Sequence, residues 1–183
     1  MHLKALKHLA AVAAAIAQEG RIVVFGSSSI LGTYPEADSD YELVRRSRDA
    51  DFVIDPYDDG TARIAHDALG VDSVFDQQYG YHADIIRPMA CENFPPGWQE
   101  RLVPLEGCAG VFCLEPHDMA VAKCFPARKK DHDLLAALIG TGRLSPPVIK
   151  ERLSSMALTE AWIVKSHRFL HEVAEAGGHP LPR

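Results

Sequence analysis

Asp49 and Asp51 stand two apart in the stretch "RRSRDADFVID". In an extended strand that spacing puts both carboxylates on one face and Ala50, Phe52 and Ile54 on the other. Two like charges side by side repel unless a cation sits between them, and a hard divalent ion with oxygen ligands, Mg²⁺ or Mn²⁺, is the usual remedy. A D-x-D pair also describes the solvent-facing edge of a sheet, so the pair needs support from elsewhere in the chain. Asp84 supplies it: in "YHADIIRP" an acid lies inside an apolar, strand-like run, where an unpaired buried charge is costly unless a partner or a metal holds it. Asp49, Asp51 and Asp84 on two strands form a catalytic and metal-binding set suited to phosphoryl transfer. In such sites ions bridge phosphate oxygens and lower the pKa of an attacking hydroxyl, and one acid acts as its base.

A phosphate needs a cradle, and "VVFGSSSILG" offers one. A short apolar run halts at Gly26 and turns hydroxyl-rich, yet the Lys of a P-loop is missing. Gly26 lets the backbone approach a phosphate closely, and Ser27 or Ser28, with N–H groups at a helix start, binds its oxygens.

The elements that must position these residues follow from periodicity and punctuation. A first amphipathic helix is expected over 3–19, stopped by Gly20, and a strand over 21–25. The segment 27–31 opens a short helix, "GTYPEADSD" is turn-rich, "YELVRRS" is helical, and "ADFVI" is a second strand closed by "DPYDDG". "TARIAHDALG" is a helix ending at Gly70. "SVFD" and "YHADIIR" are strand candidates, "PMACENFPPGW" is a loop, and "ERLVPL" and "GVFCL" form a last strand pair across "EGCAG". From Pro116 the texture is helical: "PHDMAVAKCF", stopped by Pro126; "RKKDHDLLAALIG", to Gly140; a helix from Ser145-Pro146; and a last one from Thr159, with Leu158 and Ile163 as a hydrophobic staple. The sum is an α/β (α+β) protein, a mixed sheet of about five strands packed by helices, then about four helices. The expected organisation is a core over 1–115, a helical region over 116–177 packed on it as one compact unit, and a tail over 178–183.

Composition bounds the function. The 183 residues are 47% hydrophobic and 24% charged, an ordinary globular balance. No apolar run reaches membrane-spanning length, and Lys4, Lys7 and His8 interrupt the first apolar stretch, so the expectation is a cytoplasmic protein with no membrane partner. Residues 1–100 carry 8 Lys and Arg against 16 Asp and Glu, and the remainder 11 against 9. An acidic first part and a mildly basic second part suit carboxylates that hold metal and cations that receive phosphate. The net charge of −6 argues against a protein that coats nucleic acid. The cysteines, Cys91, Cys108, Cys113 and Cys124, lack zinc-site spacing and read as reduced thiols. A Cys/His hydrolase built on Cys91 or Cys124 has no local nucleophile motif. Of the nine histidines, His82 and His117 fall beside the motifs.

The chain resembles the nucleotidyltransferase-fold proteins of the minimal-nucleotidyltransferase and AbiEii-like type, most closely a bacterial branch of them. "VVFGSSSILG", "RDADF", "FDQQYGYHAD" and "LEPHDMAVAKCFPARKKDHDLL" carry the likeness, from about Arg21 to Leu153. The resemblance implies that Gly26 and Ser27 hold nucleotide phosphates, that Asp49 and Asp51 bind metal, and that Asp84 is the third acid. It also implies that Lys123 approaches phosphate or pairs with an acid and is followed by a basic-acidic run at Arg128, Lys130 and Asp131, of which Arg128 and Lys130 bind nucleotide. The 23-residue step from Gly26 to Asp49 is longer than in the compact family pattern, and Asp38/Asp40 or Asp40/Glu42 fall at the shorter spacing. Asp49/Asp51 is preferred because "ADFVID" continues as a strand whereas "PEADSD" reads as a turn.

Two functions follow. One is a metal-dependent enzyme moving a nucleoside monophosphate from an NTP to a hydroxyl of RNA, protein or a small molecule. The other is a non-catalytic module of the same fold, antitoxin-like, that binds a protein partner. Trp162, Phe169 and Leu170 on the last helix read as core or homodimer contacts.

Overall fold

The computed structural model describes residues 1–182; Arg183, the end of the expected tail, lies outside them. The first helix, α1 (Leu3–Ala17), buries Leu6, Leu9, Ala10 and Ala13, the single stripe that a 3.6-residue period produces. It ends two residues before the expected limit, with Gln18 at φ +53°. β1 (Arg21–Phe25) follows as expected, and Ser27–Gly32 is a 3₁₀ turn. Two single helical turns come next, α2 (Ala37–Asp40) and α3 (Glu42–Arg45); the first of them was expected to be a plain turn. β2 (Asp49–Asp55) then leads to α4 (Asp59–Leu69), capped by Asp58, whose carboxylate accepts the Thr61 N–H at 2.7 Å, and ended by Gly70.

"SVFD" is not a strand. Val74–Tyr79 is a helix, α5, because Ser73 caps it and accepts the Asp76 N–H at 3.1 Å. Ser-x-x-Asp is an N-terminal capping signature that outweighs two apolar residues in a row. β3 (His82–Ile85) succeeds it, and β4 (Val103–Pro104) and β5 (Val111–Cys113) form the expected antiparallel pair across the Gly107 and Gly110 turn.

The sheet order is β3-β2-β1-β5-β4. β1 is antiparallel to β2 and parallel to β5, and β2 is parallel to β3. β1 is therefore central, and its Ile22, Val23 and Val24 are fully buried. α1 packs on β1, β5 and α4, and α4 packs on β3.

The chain divides into two compact units, Met1–Cys91 with Arg101–Glu115, and Glu92–Glu100 with the residues from Pro116 onward. The second unit holds α6 (Pro116–Lys123), α7 (Lys129–Gly140), α8 (Pro146–Ser154) and α9 (Glu160–Ala176). α9 packs on α7 and α8, around Leu135, Leu138, Ile139, Ile149 and Leu170. Buried carboxylates anchor ion pairs within this unit: Arg152 to Asp118 at 2.7 Å joins α8 to α6, and Lys123 to Asp131 at 2.7 Å joins α6 to α7. Among the described residues no helix is long and apolar enough to cross a membrane.

Candidate active site

β1 ends at Phe25, opposite Asp51 in the antiparallel register. Gly26 follows at φ +69° and ψ −162°, a positive-φ conformation that glycine adopts because it has no Cβ to clash. A Cβ there would lie 2.0 Å from Asp51 Oδ2. The Asp51 carboxylate thus occupies the space that any side chain at position 26 would take, and the carboxylate and the Gly-Ser turn are one piece of architecture.

Across the other edge of β2, Asp51 is in register with Asp84 and Asp49 with His82. Residues in register on adjacent strands are about 4.8 Å apart and project to the same side of the sheet. Asp49, Asp51 and Asp84 therefore share one face, half-buried, while Ala50, Phe52, Ile54 and Ala83 on the other face are buried. The two-residue spacing sets Asp49 and Asp51 on one face, and the parallel β2/β3 pairing sets Asp84 on that face too.

Hydroxyls brace this arrangement. Ser47 Oγ donates to Asp49 Oδ1 at 2.7 Å and to the Asp49 carbonyl at 3.2 Å. Sequence reasoning missed Ser47; a hydroxyl two residues before the first acid was the available signal. Ser28 Oγ donates to the Asp49 carbonyl at 3.2 Å, and Ser29 Oγ to the Gly26 carbonyl at 2.9 Å. Ser28 and Ser29 are buried and Ser27 is half-buried. Two of the three serines therefore fasten the turn to itself and to β2, and Ser27 stands at its mouth.

A second network flanks the acids. Buried Asp76 accepts from the Asp72 N–H at 3.1 Å, meets His82 Nδ1 at 3.2 Å and pairs with Arg48 at 3.4 Å. The Asp72 N–H first, then the His82 ring and the Arg48 charge, hold its carboxyl below the ordinary value despite burial. Asp76 thereby orients His82, the register neighbour of Asp49. The second singled-out histidine, His117, accepts the Ser145 N–H on Nε2 at 3.0 Å, a structural role at the start of α8.

Asp38 sits on α2 and accepts the Leu3 N–H at 2.9 Å, so it caps α1, and Glu42 pairs with Arg46 at 2.6 Å. Asp40 is the last residue of α2. Lys123, Arg128 and Lys130 belong to the second unit. Lys123 is bound to Asp131, with the two side chains only 13% and 4% exposed. Arg128 and Lys130 are exposed at the start of α7, and Lys129 pairs with Asp133 at 3.1 Å.

All four thiols are free. Burial raises Cys91 to about 11 and Cys113 and Cys124 to about 12, which removes the thiolate that a cysteine nucleophile requires. Among the described residues no three His, Cys, Asp or Glu side chains close on one ion position. Mg²⁺ is commonly held by one or two carboxylates together with water and substrate phosphate rather than by an all-protein cage. Asp51 and Asp84, hard oxygen donors in register on one face, fit that donor set.

A mixed sheet with acids on two adjacent strands beside a Gly-Ser turn is a nucleotidyltransferase-like fold. Residues 1–173 match the model of the family described as nucleotidyltransferase of unknown function (DUF6036), and the chain belongs to that family. No curated protein and no solved structure matches it.

Proposed function

We propose that the protein transfers a nucleoside monophosphate from an NTP to a hydroxyl acceptor, with Mg²⁺ or Mn²⁺ held by Asp51 and Asp84 and supported by Asp49. The observation that carries this reading is the seat of Asp51 over Gly26, in register with Asp84. Two carboxylates beside a Gly-Ser turn whose backbone a phosphate can approach closely are the donor set this chemistry needs. In this reading Gly26, Ser27 and the neighbouring N–H groups receive phosphate oxygens, while Ser28 and Ser47 keep β2 and its acids in place.

The acceptor oxygen attacks the α-phosphorus, the bond from that phosphorus to the α,β-bridging oxygen breaks, and pyrophosphate leaves. The hydroxyl proton passes to Asp84, on the edge strand of the sheet. A bound divalent ion would neutralise phosphate charge and ease loss of the hydroxyl proton. A cytoplasmic setting, and a place beside the minimal and AbiEii-like bacterial nucleotidyltransferases, suit this reading. RNA, protein and small molecules all offer a suitable hydroxyl. The Lys123 to Asp131 pair engages the ammonium that would otherwise receive phosphate, which suits a second reading, a non-catalytic module of the same fold that binds a protein partner.

Thermal unfolding with each NTP and Mn²⁺ tests the proposal. Ligand at a hundred times its Kd stabilises a fold by about 2.7 kcal/mol, and α-labelled NTP should pass label to a hydroxyl acceptor. Absence of stabilisation by every NTP would refute it. Gly26→Ala gives a finer check. Its methyl group displaces the Asp51 carboxylate and puts alanine into a backbone conformation open essentially to glycine alone, at a cost of about 1–3 kcal/mol. Mn²⁺ affinity should fall by about 10–100-fold, as when the support of a metal ligand is removed. Unchanged calorimetric affinity would mean that Asp51 does not bind the ion.

A further inference from the structure

The first turns of α9 are bare. Residues 159–164 are all exposed, and three of them are consecutive large apolar side chains, Trp162 at 42%, Ile163 at 42% and Val164 at 62%. Successive helical residues lie about 100° apart, so these three cover more of the circumference than one packed face can hide. Further along, the helix packs normally and buries Ser166, Phe169, Leu170, Val173 and Ala174. Phe169 and Leu170 are therefore core residues, while Trp162 is only part-covered, by the Phe125 ring at 5.8 Å. That contact leaves Val164 uncovered.

Glu160, Ala161, Val164, Lys165 and Arg168 line one shallow groove. Positions 160, 164 and 168 recur every four residues, so they form one stripe, with opposite charges about 6 Å to either side of Val164 along the axis. Such a stripe is complementary to its own antiparallel copy. With a two-fold axis at Val164, Glu160 meets Arg168 of the partner subunit and Arg168 meets Glu160 of the partner subunit, the isologous arrangement of a C2 dimer. Ala161 is small enough to let the helices approach. Lys165 has no symmetric counterpart in the stripe, and it is drawn aside: its Nζ donates to the Phe125 carbonyl at 2.9 Å and lies 4.6 Å from the Trp162 ring centre. Among the described residues Arg168 meets Glu172 at 3.8 Å in an exposed contact, which is weak and leaves the guanidinium able to turn across the interface.

We infer that the N-terminal half of α9 is the interface of a symmetric homodimer, with Val164 on the two-fold axis and a Glu160 to Arg168 pair on each side. The inference is independent of the proposed activity, because it uses none of the acids on the sheet.

Sedimentation of the full chain over a concentration series should show a reversible dimer. Glu160→Arg and Arg168→Glu each set like charges against one another, and each should weaken the dimer by about tenfold or more. The double variant carrying both changes restores opposite charges in the reversed sense and should recover the wild-type dissociation constant. Both side chains are exposed, so all three variants should melt with the wild type, which separates lost association from lost folding. Val164→Cys should cross-link to itself under mild oxidation, since a residue on the axis meets its own copy. A wild type that stays monomeric overturns the inference and assigns the face to a different protein. A dimer indifferent to both single reversals, or one that Val164→Cys does not cross-link, places the interface elsewhere and also overturns it.

Discussion

Asp51→Asn should lower nucleotidyl transfer by on the order of 10³-fold, the scale on which loss of one preorganised electrostatic group acts, with little change in the stability of the ligand-free fold. Asparagine keeps the size of the side chain seated over Gly26 and removes only its charge. In the ligand-free protein that charge faces Asp84 in register and Asp49 on the same strand, so its removal relieves like-charge repulsion. With metal the balance reverses, since the amide is a much poorer ligand for a hard divalent ion. Mn²⁺ titration calorimetry and label transfer from α-labelled NTP read the two sides separately. Equal Mn²⁺ affinity in wild type and variant would reduce the acids to a polar sheet edge.

Lys123→Ala should cost about 3–5 kcal/mol, because it leaves the Asp131 charge buried without its cation. Asp131 is buried, and among the described residues its Oδ2 has no hydrogen-bond partner, so Lys123 on Oδ1 carries the compensation. The substitution itself suits a helix, since alanine is the best helix former. Loss of the join between α6 and α7 should therefore appear as a fall in melting temperature on the order of 10 °C. Lys123→Met combined with Asp131→Leu should cost much less, because neither charge is then buried alone. A Lys123→Ala protein that melts like the wild type but loses NTP-dependent stabilisation would instead support a phosphate role for Lys123.

Much of the local structure was legible because it depends on neighbours in the chain. Period-two alternation placed Asp49 and Asp51 on one face and Ala50, Phe52 and Ile54 on the other. Gly70, Pro116 and Thr159 marked helix ends for steric and capping reasons that act within a few residues, and the structure ends or starts helices beside each of them. "SVFD" was misread because two apolar residues are too few to define a period, whereas the Ser73 cap that decides the matter was present in the same four letters.

What the residues determined by themselves is a strand running into a Gly-Ser turn, a strand with one acidic face, a third acid in an apolar run, and a helical second part. These depend on backbone sterics and side-chain period, which act over a few positions. Tertiary structure alone decided that Asp51 fills the space above Gly26, that parallel pairing sets Asp84 beside it, that Ser28 serves the Asp49 carbonyl, and that Lys123 is bound to Asp131. Each joins residues on different elements, and such contacts depend on sheet order, register and the direction in which a helix leaves its turn. Those are settled by burial of the whole core, to which no short stretch of sequence contributes more than a part.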